Sequence, residues 1–378
     1  MALDVLALTE IVERGVAPAA GVGFARRTAS GWCVREGAAG HTGRRTADGD
    51  SLFDLASITK PFVAVALARL VERGQLHFET TLAEHVEESV GTPSQSSTLE
   101  SLGSHRAGLA ANGALFSPLL ERRAFDRRRA LARAASGMRE ECRPAAISLS
   151  HNATHPPVYS DLGYLLLGEA LSRSRGRPLD DLVFSEVSAP LGSLTRSARQ
   201  WLGSDRTFLE RVAPTEFAAF RGGVIRGAVH DENAWAMAGH ATAGHAGLFG
   251  RVSDVLALGM ALLDALAGRD TTFLSSKTAR RLIEPRPGGT LRLGFDGKSA
   301  SGSSAGPSAG AQTFGHLGFT GTSFWCDPAA ETVTALLTNR VCPSRDNAAI
   351  REARPRVHEA LFAAARCIPG VGGRNFTD

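Results

Sequence analysis

The sequence predicts an α/β (α+β) fold in which both ends of the chain build one antiparallel sheet flanked by helices. A mainly helical subdomain, at about 58–250, is inserted between the two sheet-forming parts. Three observations lead there. Strand patterns bounded by turn residues occur early, at Val22 to Arg27 and Gly31 to Arg35, and return late, at Gly315 to Trp325 and Thr332 to Thr338. Between them the chain is rich in Ala, Arg and Gly, with short helical patterns and few strands. No fixed-period repeat runs through it.

Each element has a local reason. Residues 4–14 have helical apolar spacing, and the first two strand patterns read as a hairpin across a small turn. A short apolar run, Leu52 to Leu55, leads into Ser57, and a helix continues through Val63, Ala64, Leu67, Leu70 and Val71 to Gly74. Ser57 therefore stands at a helix start. Tyr164 to Leu171 and Ser253 to Leu266 are further apolar helices, the second with Ser253 or Asp254 near its cap. Residues 297–312 form a low-complexity Gly/Ser/Ala loop, Asp327-Pro328 turns the chain between the last strands, and Ala348 to Ala365 closes it as a helix.

Composition bounds the function. With 378 residues, 43% hydrophobic and 21% charged, the chain reads as one catalytic unit, residues 1–378, able to bury a large core. A net charge of +4 over this length does not call for nucleic acid as a partner. The densest basic run, Arg122 to Arg139, holds seven Arg and one Asp and reads as a solvated helix over the cleft rather than a phosphate or membrane site. Cys33, Cys142, Cys326, Cys342 and Cys367 are an odd set with no CxxC, the pattern of reduced thiols. Met1 to Gly15 carries Asp4, Glu10 and Glu13 and lacks the form of a signal peptide, and no stretch has transmembrane length. These features predict a cytoplasmic protein acting on a small molecule, with neither cofactor nor metal. No oligomeric state is specified.

The chemistry centres on Ser57-Ile58-Thr59-Lys60, a spacing that puts hydroxyl and amine on one helix face. Burial and the helix N-terminus are expected to lower the lysine pKa, so that it can take the serine proton. Only three of the 42 basic residues are lysines, Lys60, Lys277 and Lys298. Where charge alone matters the chain writes Arg, and a guanidinium cannot serve as a base. Tyrosine is as sparing, two residues against 18 Phe. Tyr159 opens Tyr159-Ser160-Asp161 just before an apolar helix, where a phenol beside an ammonium can relay a proton. Tyr164 reads as a packed helix residue.

These motifs, with His316-Leu317-Gly318 in third place, give the chain a resemblance to the penicillin-recognising serine hydrolases, the family of class C β-lactamases, DD-peptidases and certain esterases. Phe53-Asp54-Leu55-Ala56, Ser104-His105-Arg106-Ala107-Gly108-Leu109 and Tyr164-Leu165-Leu166-Leu167-Gly168 resemble the family's surrounding text, and the likeness spans nearly the whole chain. The resemblance implies a β-lactamase-like fold and an acyl-enzyme on Ser57, with Lys60 and Tyr159 sharing base and acid roles and Asp161 holding the network. His316 and Gly318 would line the cleft on the edge strand. The backbone N–H groups of Ser57 and Phe319 would form the oxyanion hole, such donors being worth about 3 to 4 kcal/mol each.

Two departures from the family pattern carry consequences. Asp161 stands where the family often has Asn, adding a negative charge that raises the Lys60 pKa and favours Tyr159 as base. His316-Leu317-Gly318 lacks the cation and threonine hydroxyl that hold a β-lactam carboxylate. A further stretch, Arg226 to Ala234 followed by Gly244 to Phe249, resembles the N-acetylmuramyl-L-alanine amidase branch. The expected activity is thus hydrolysis of a small ester or amide, muropeptide-like amides ranking above β-lactams, with a β-lactamase or DD-peptidase as the alternative. A non-catalytic penicillin-binding or sensor protein is the alternative of another class.

His230, Asp231, His240 and His245 are all metal-ligand types, but their spacings match no H-E-x-x-H helix and favour loop packing and cleft lining. Gly302-Ser303-Ser304-Ala305-Gly306 matches G-x-S-x-G without the flanking strand and helix. Gly49-Asp50-Ser51-Leu52 lacks the Asp-x-x-His of the lipase family it spells.

Overall fold

The computed structural model describes residues 2–143 and 155–370. Helix α1 (Leu3–Ala7), continued by a wider turn to Val12, leads into the hairpin of β1 (Ala19–Thr28) and β2 (Gly31–Gly40). Strand β3 (Phe53–Asp54), a single 3-10 turn (Ala56–Ile58) and α2 (Thr59–Glu72) follow. Further along come α3 (Asp161–Arg175), α4 (Glu232–Ala238), β4 (Leu248–Gly250) and α5 (Val252–Leu266). The chain ends through β5 (Asp296–Gly297), β6 (Phe314–Leu317), β7 (Ser323–Asp327), β8 (Thr332–Thr338) and α6 (Ile350–Arg366).

Among the described residues the main sheet has six antiparallel strands in the order β2-β1-β8-β7-β6-β5. The first hairpin pairs with the last strand, Val22 opposite Leu336 and Phe24 opposite Thr334, so both ends of the chain share one sheet. Strand alternation then sorts β1. Ala20, Val22 and Phe24 join Leu6, Ile11, Val357 and Leu361 beneath α1 and α6. Gly21 and Gly23 face α5, where a Cβ would stand 2.8 and 2.6 Å from Val252. Their missing side chains let α5 lie close on the sheet. The larger core forms on that face, where Phe62, Leu67, Leu166, Leu256 and Leu262 pack with Phe324 and Val333.

Several local expectations change. Gly315 to Trp325 is two strands, β6 and β7, because the chain reverses where Gly318 N–H donates to Thr322 O (2.7 Å) and Gly321 takes φ +99°. Helix α5 starts one residue earlier than its pattern, after Arg251, whose N–H donates to Asp254 Oδ2 (2.9 Å). The first hairpin outruns its apolar pattern, since the ladder continues to Ala19 opposite Gly40 along a half-exposed edge. In the arginine-rich run, Asp126 caps a helix over Arg127–Ser136, Arg127 pairs with Glu169, and Arg128 pairs with Glu87. All five cysteines are free thiols. Among the described residues no helix is long and apolar enough to cross a membrane.

Helix α6 docks on the sheet through a buried polar contact. His358 has no exposure, its Nε2 lying 2.8 Å from Ser323 Oγ and its Nδ1 2.9 Å from Thr334 Oγ1. Burial, with the nearby Arg354 charge, pushes its pKa from 6.5 down to about 3. The unfolded chain takes up a proton below pH 6.5 that the folded chain refuses. This contribution to stability is therefore complete above that pH and lost as pH falls toward 3, at about 1.4 kcal/mol per pH unit. Urea denaturation at about pH 7 and about pH 5 should show a loss of about 2 kcal/mol from this residue. His358→Gln should have a correspondingly shallower pH slope, and an unchanged slope would remove His358 as its source.

Candidate active site

Ser57 sits on the 3-10 turn between β3 and α2, one residue after Ala56, which is held at φ +48°. A left-handed residue with a Cβ costs about 1 to 2 kcal/mol, so the turn needs outside support. Asp54 provides it. Its Oδ1 accepts the Ala56 N–H (2.8 Å) and its Oδ2 the His230 N–H (2.7 Å). Burial pushes the Asp54 carboxyl pKa up, and these two N–H bonds oppose it. From the β6–β7 turn, Thr320 Oγ1 donates to Asp54 O (2.7 Å) and Thr322 Oγ1 to Leu55 O (3.0 Å). Strand β4 holds the other side, with Leu55 N–H donating to Leu248 O (2.9 Å) and Leu248 N–H to Thr59 Oγ1 (3.3 Å).

Lys60 reaches back along the helix face with no exposure to water. Its Nζ stands 2.9 Å from Ser57 Oγ, 2.7 Å from Tyr159 Oη and 2.7 Å from Asp161 Oδ1, with His245 O further away at 3.4 Å. An ammonium has three donors, and these three near acceptors use them all. Burial works to lower the lysine pKa, but Asp161 and Tyr159 outweigh it and the net shift is upward. Of the two opposing expectations, the lowering by burial and the helix start gives way to the raising by Asp161. Burial also raises the Tyr159 phenol, against the pull of Lys60. At neutral pH the resting pair is an ammonium and a phenol.

The segment that delivers Tyr159 and Asp161 is pinned by Ser160 and Asp161. Ser160 caps α3, its Oγ accepting the Gly163 N–H (3.1 Å) and donating to Ala110 O (2.6 Å). Ser160 N–H donates to His105 Nδ1 (2.9 Å), and Asp161 N–H to Ala111 O (2.7 Å). The His105 ring lies 4.7 Å from that of Tyr159, and burial together with Lys60 holds its pKa well below 6.5, so it is uncharged. Tyr164 is fully buried, and its hydroxyl donates to Gly103 O (2.7 Å).

The cleft above Ser57 has a volume of about 430 Å³ and is bordered by Tyr159, Asp161, Gly318 and Phe319. His316 is not on its wall. It is buried on β6, one strand in from the edge, with its ring 5.9 Å from Tyr159. Burial and Lys60 push it down to about 3, and its Nδ1 lies 2.8 Å from Leu317 O, so a neutral ring occupies the third motif. Phe319 is 49% exposed, and its N–H has no acceptor among the described residues. His230 and His245 belong to separate pairs, with Glu216 (3.0 Å) and Asp231 (2.8 Å), while His240 is exposed. Sequence alone assigns no role to Asp54, His105, Thr320 or Thr322, whose only signal is membership of the stretches around the motifs.

A family model described as Beta-lactamase matches residues 8–358. The chain belongs to the beta-lactamase family. It is 28% identical over 310 residues to an N-acetylmuramyl-L-alanine amidase of Bacillus subtilis (strain 168), covering 77% of this chain and 68% of that relative. It is 27% identical over 319 residues to a putative D-alanyl-D-alanine carboxypeptidase of Escherichia coli (strain K12), covering 77% and 69%. Among solved structures, EstCE1, a hydrolase with promiscuous acyltransferase activity, superposes with a TM-score of 0.69 at 19% identity, over 95% of this chain and 97% of that one. The D-amino acid amidase from Ochrobactrum anthropi SV3 gives 0.67 at 20% identity, over 96% and 98%. These two establish the β-lactamase-like fold, and membership of the beta-lactamase family makes the chain a serine hydrolase.

The electrostatics of the Lys60 cluster can be read directly, because the chain has only three lysines to resolve. In protein carrying ¹³Cε-lysine, Asp161→Asn should move the Lys60 resonance to a lower titration midpoint, while Lys277 and Lys298 stay in place. An unmoved Lys60 midpoint would mean that Asp161 does not hold the ammonium.

Proposed function

We propose that Ser57 is the acylated nucleophile of an esterase or amidase, with Lys60 and Tyr159 moving its proton and Asp161 fixing which of the two carries the charge. One observation supports this above the rest: a single buried ammonium bonded at once to Ser57, Tyr159 and Asp161. The resting pair must lose one proton to become a base. Asp161 favours the form in which Lys60 stays an ammonium and Tyr159 becomes a phenolate. Tyr159 Oη then takes the Ser57 proton as Oγ bonds to the substrate carbonyl carbon, and the carbonyl electron pair moves onto oxygen. That oxygen faces the N–H groups of Ser57 and Phe319. Collapse expels the amine or alcohol, which takes its proton from Tyr159, and water repeats the sequence to free Ser57.

The substrate class follows from what the third motif lacks. A neutral His316 gives the strand no cation for a β-lactam carboxylate, so a small ester or a muropeptide-like amide ranks above a β-lactam. The amidase and carboxypeptidase among the relatives favour an amide of the cell-wall type. One catalytic domain, with its helical subdomain at about 58–250, is part of this reading, as is a cytoplasmic location, for which five free thiols speak. A non-catalytic binder would have no need of a lysine wired to both a serine and a tyrosine.

Ser57→Ala should abolish both turnover of an activated ester and labelling by a fluorophosphonate. Lys60→Arg should fall as far as Lys60→Ala, about a hundredfold or more in kcat/KM, because a planar guanidinium keeps the charge but cannot place donors on Ser57 Oγ, Tyr159 Oη and Asp161 Oδ1 together as the ammonium does. An arginine variant near wild-type activity would reduce Lys60 to a counter-charge. The wild-type kcat/KM should rise with pH as the Lys60–Tyr159 pair loses its proton, and Asp161→Asn should move that rise to lower pH. Nitrocefin turnover matching that of an ester and a muramyl-L-alanine amide would reverse the substrate ranking.

A further inference from the structure

His230 has no part in the proton transfers set out above, yet it reaches both halves of the proposed oxyanion hole. On the Ser57 side it does so through its backbone. His230 N–H donates to Asp54 Oδ2 (2.7 Å), and Asp54 Oδ1 accepts the N–H of Ala56, the residue before Ser57 (2.8 Å). On the other side it does so through its ring, which lies 5.7 Å from the ring of Phe319 and within 18° of parallel to it. His230 is buried, and its Nε2 is 3.0 Å from Glu216 Oε2. Glu216 is anchored in turn by Arg345, whose Nε stands 2.8 Å from each carboxylate oxygen. Burial works against the Glu216 charge, but the hydrogen bonds from Arg345 and His230 outweigh it and bring the carboxyl down to about 2. The imidazole is therefore held at a fixed carboxylate while its face is turned to Phe319.

The N–H that Phe319 offers belongs to the peptide plane it shares with Gly318. The oxygen of that plane is fixed, since Arg354 Nη2 (2.6 Å) and Gly321 N–H (3.1 Å) both donate to Gly318 O. At the Cα end stands Phe319 itself, half-exposed, so its side chain depends on what touches it. Arg340 is one neighbour, its guanidinium carbon 4.5 Å from the ring centroid and its Nε donating to Phe319 O (2.8 Å). The stacked His230 ring is the other. Restricting a side-chain rotamer also restricts the backbone angles compatible with it. Thr320 and Thr322 already bond this turn to the backbone of Asp54 and Leu55. His230 adds a contact to the one residue whose N–H is the donor.

We propose that His230 is a positioning residue of the oxyanion hole: its backbone steadies the Ser57 donor through Asp54, and its ring, held by Glu216, steadies the Phe319 donor by stacking. This rests on the reading of Ser57 as nucleophile, with the Ser57 and Phe319 N–H groups as the oxyanion donors.

A thionoester tests it, because sulfur accepts hydrogen bonds weakly and draws little from such donors. The ratio of kcat/KM for 4-nitrophenyl acetate to that for O-4-nitrophenyl thionoacetate therefore reports the oxyanion hole, and a smaller folded fraction leaves it unmoved. His230→Ala keeps the backbone bond to Asp54 but removes the ring. Its ratio should fall about tenfold, a part of what losing one whole donor costs, and the fall should lie in kcat rather than KM. His230→Phe, which can stack but cannot bond Glu216, should recover most of the ratio, whereas His230→Gln, which can bond but not stack, should not. Phe319→Ala removes the partner ring at a half-exposed position and should give the same fall, and the double variant should fall no further. Labelling of Ser57 by a fluorophosphonate is measured in each variant. An unchanged ratio in His230→Ala or in Phe319→Ala, with Ser57 still labelled, overturns the positioning role and leaves the nucleophile standing. Recovery by Gln but not by Phe overturns it as well. If the wild-type protein neither labels at Ser57 nor turns over either ester, the nucleophile and this inference fall together.

Discussion

An ammonium with no exposure to water has to be matched by the groups around it, and the architecture near Ser57 follows from how Lys60 is matched. Leaving one partner of a buried ion pair alone costs several kcal/mol, so Asp161 has to arrive at one fixed place. It does so because Ser160 caps α3 and is itself held by His105 and Ala110, which fixes Tyr159 one residue earlier. From the other side, His245 O and the β4 contacts to Leu55 and Thr59 close the cage.

The same charge governs its neighbours. His105 and His316 are buried beside Lys60 and stay uncharged, since a second cation in that volume would meet both desolvation and repulsion. The sheet edge of the cleft is consequently electrically quiet. Positive charge collects instead beside the β6–β7 turn, where Arg340 and Arg354 are held by carbonyl dipoles rather than by carboxylates. The strained turn at Ala56 belongs to this scheme too: Asp54, buried, accepts the Ala56 N–H with one oxygen and the His230 N–H with the other, tying the turn before Ser57 to a distant segment.

Much of the candidate site was legible because this chain is economical with two residue types. With 39 arginines available, a lysine three residues after a serine at a helix start stands out as a candidate for something arginine cannot do. A tyrosine in a chain that otherwise uses Phe marks a hydroxyl. The supports were not legible. Asp54 works through the N–H of a residue 176 positions away, and His105 through one 55 positions away, separations that no local pattern reports. The reversal inside Gly315 to Trp325 was hidden for a similar reason: its apolar residues continue across Gly318 and Gly321, and only the pairing of β6 with β7 shows that the chain turns.

By itself, then, the sequence determined which residues share one helix face, where the sheet begins and ends, and which of its few lysines and tyrosines are candidates for the site. Those are properties of spacing and composition, and they survive without knowledge of neighbours. The tertiary structure decided which of two opposing influences on Lys60 prevails. Burial alone would have lowered the Lys60 pKa, and a carboxylate at 2.7 Å from a segment a hundred residues distant raised it. It also decided that the third motif is a neutral buried ring. Electrostatic outcomes depend on distances between groups that share no local sequence, and only the packed chain sets those distances.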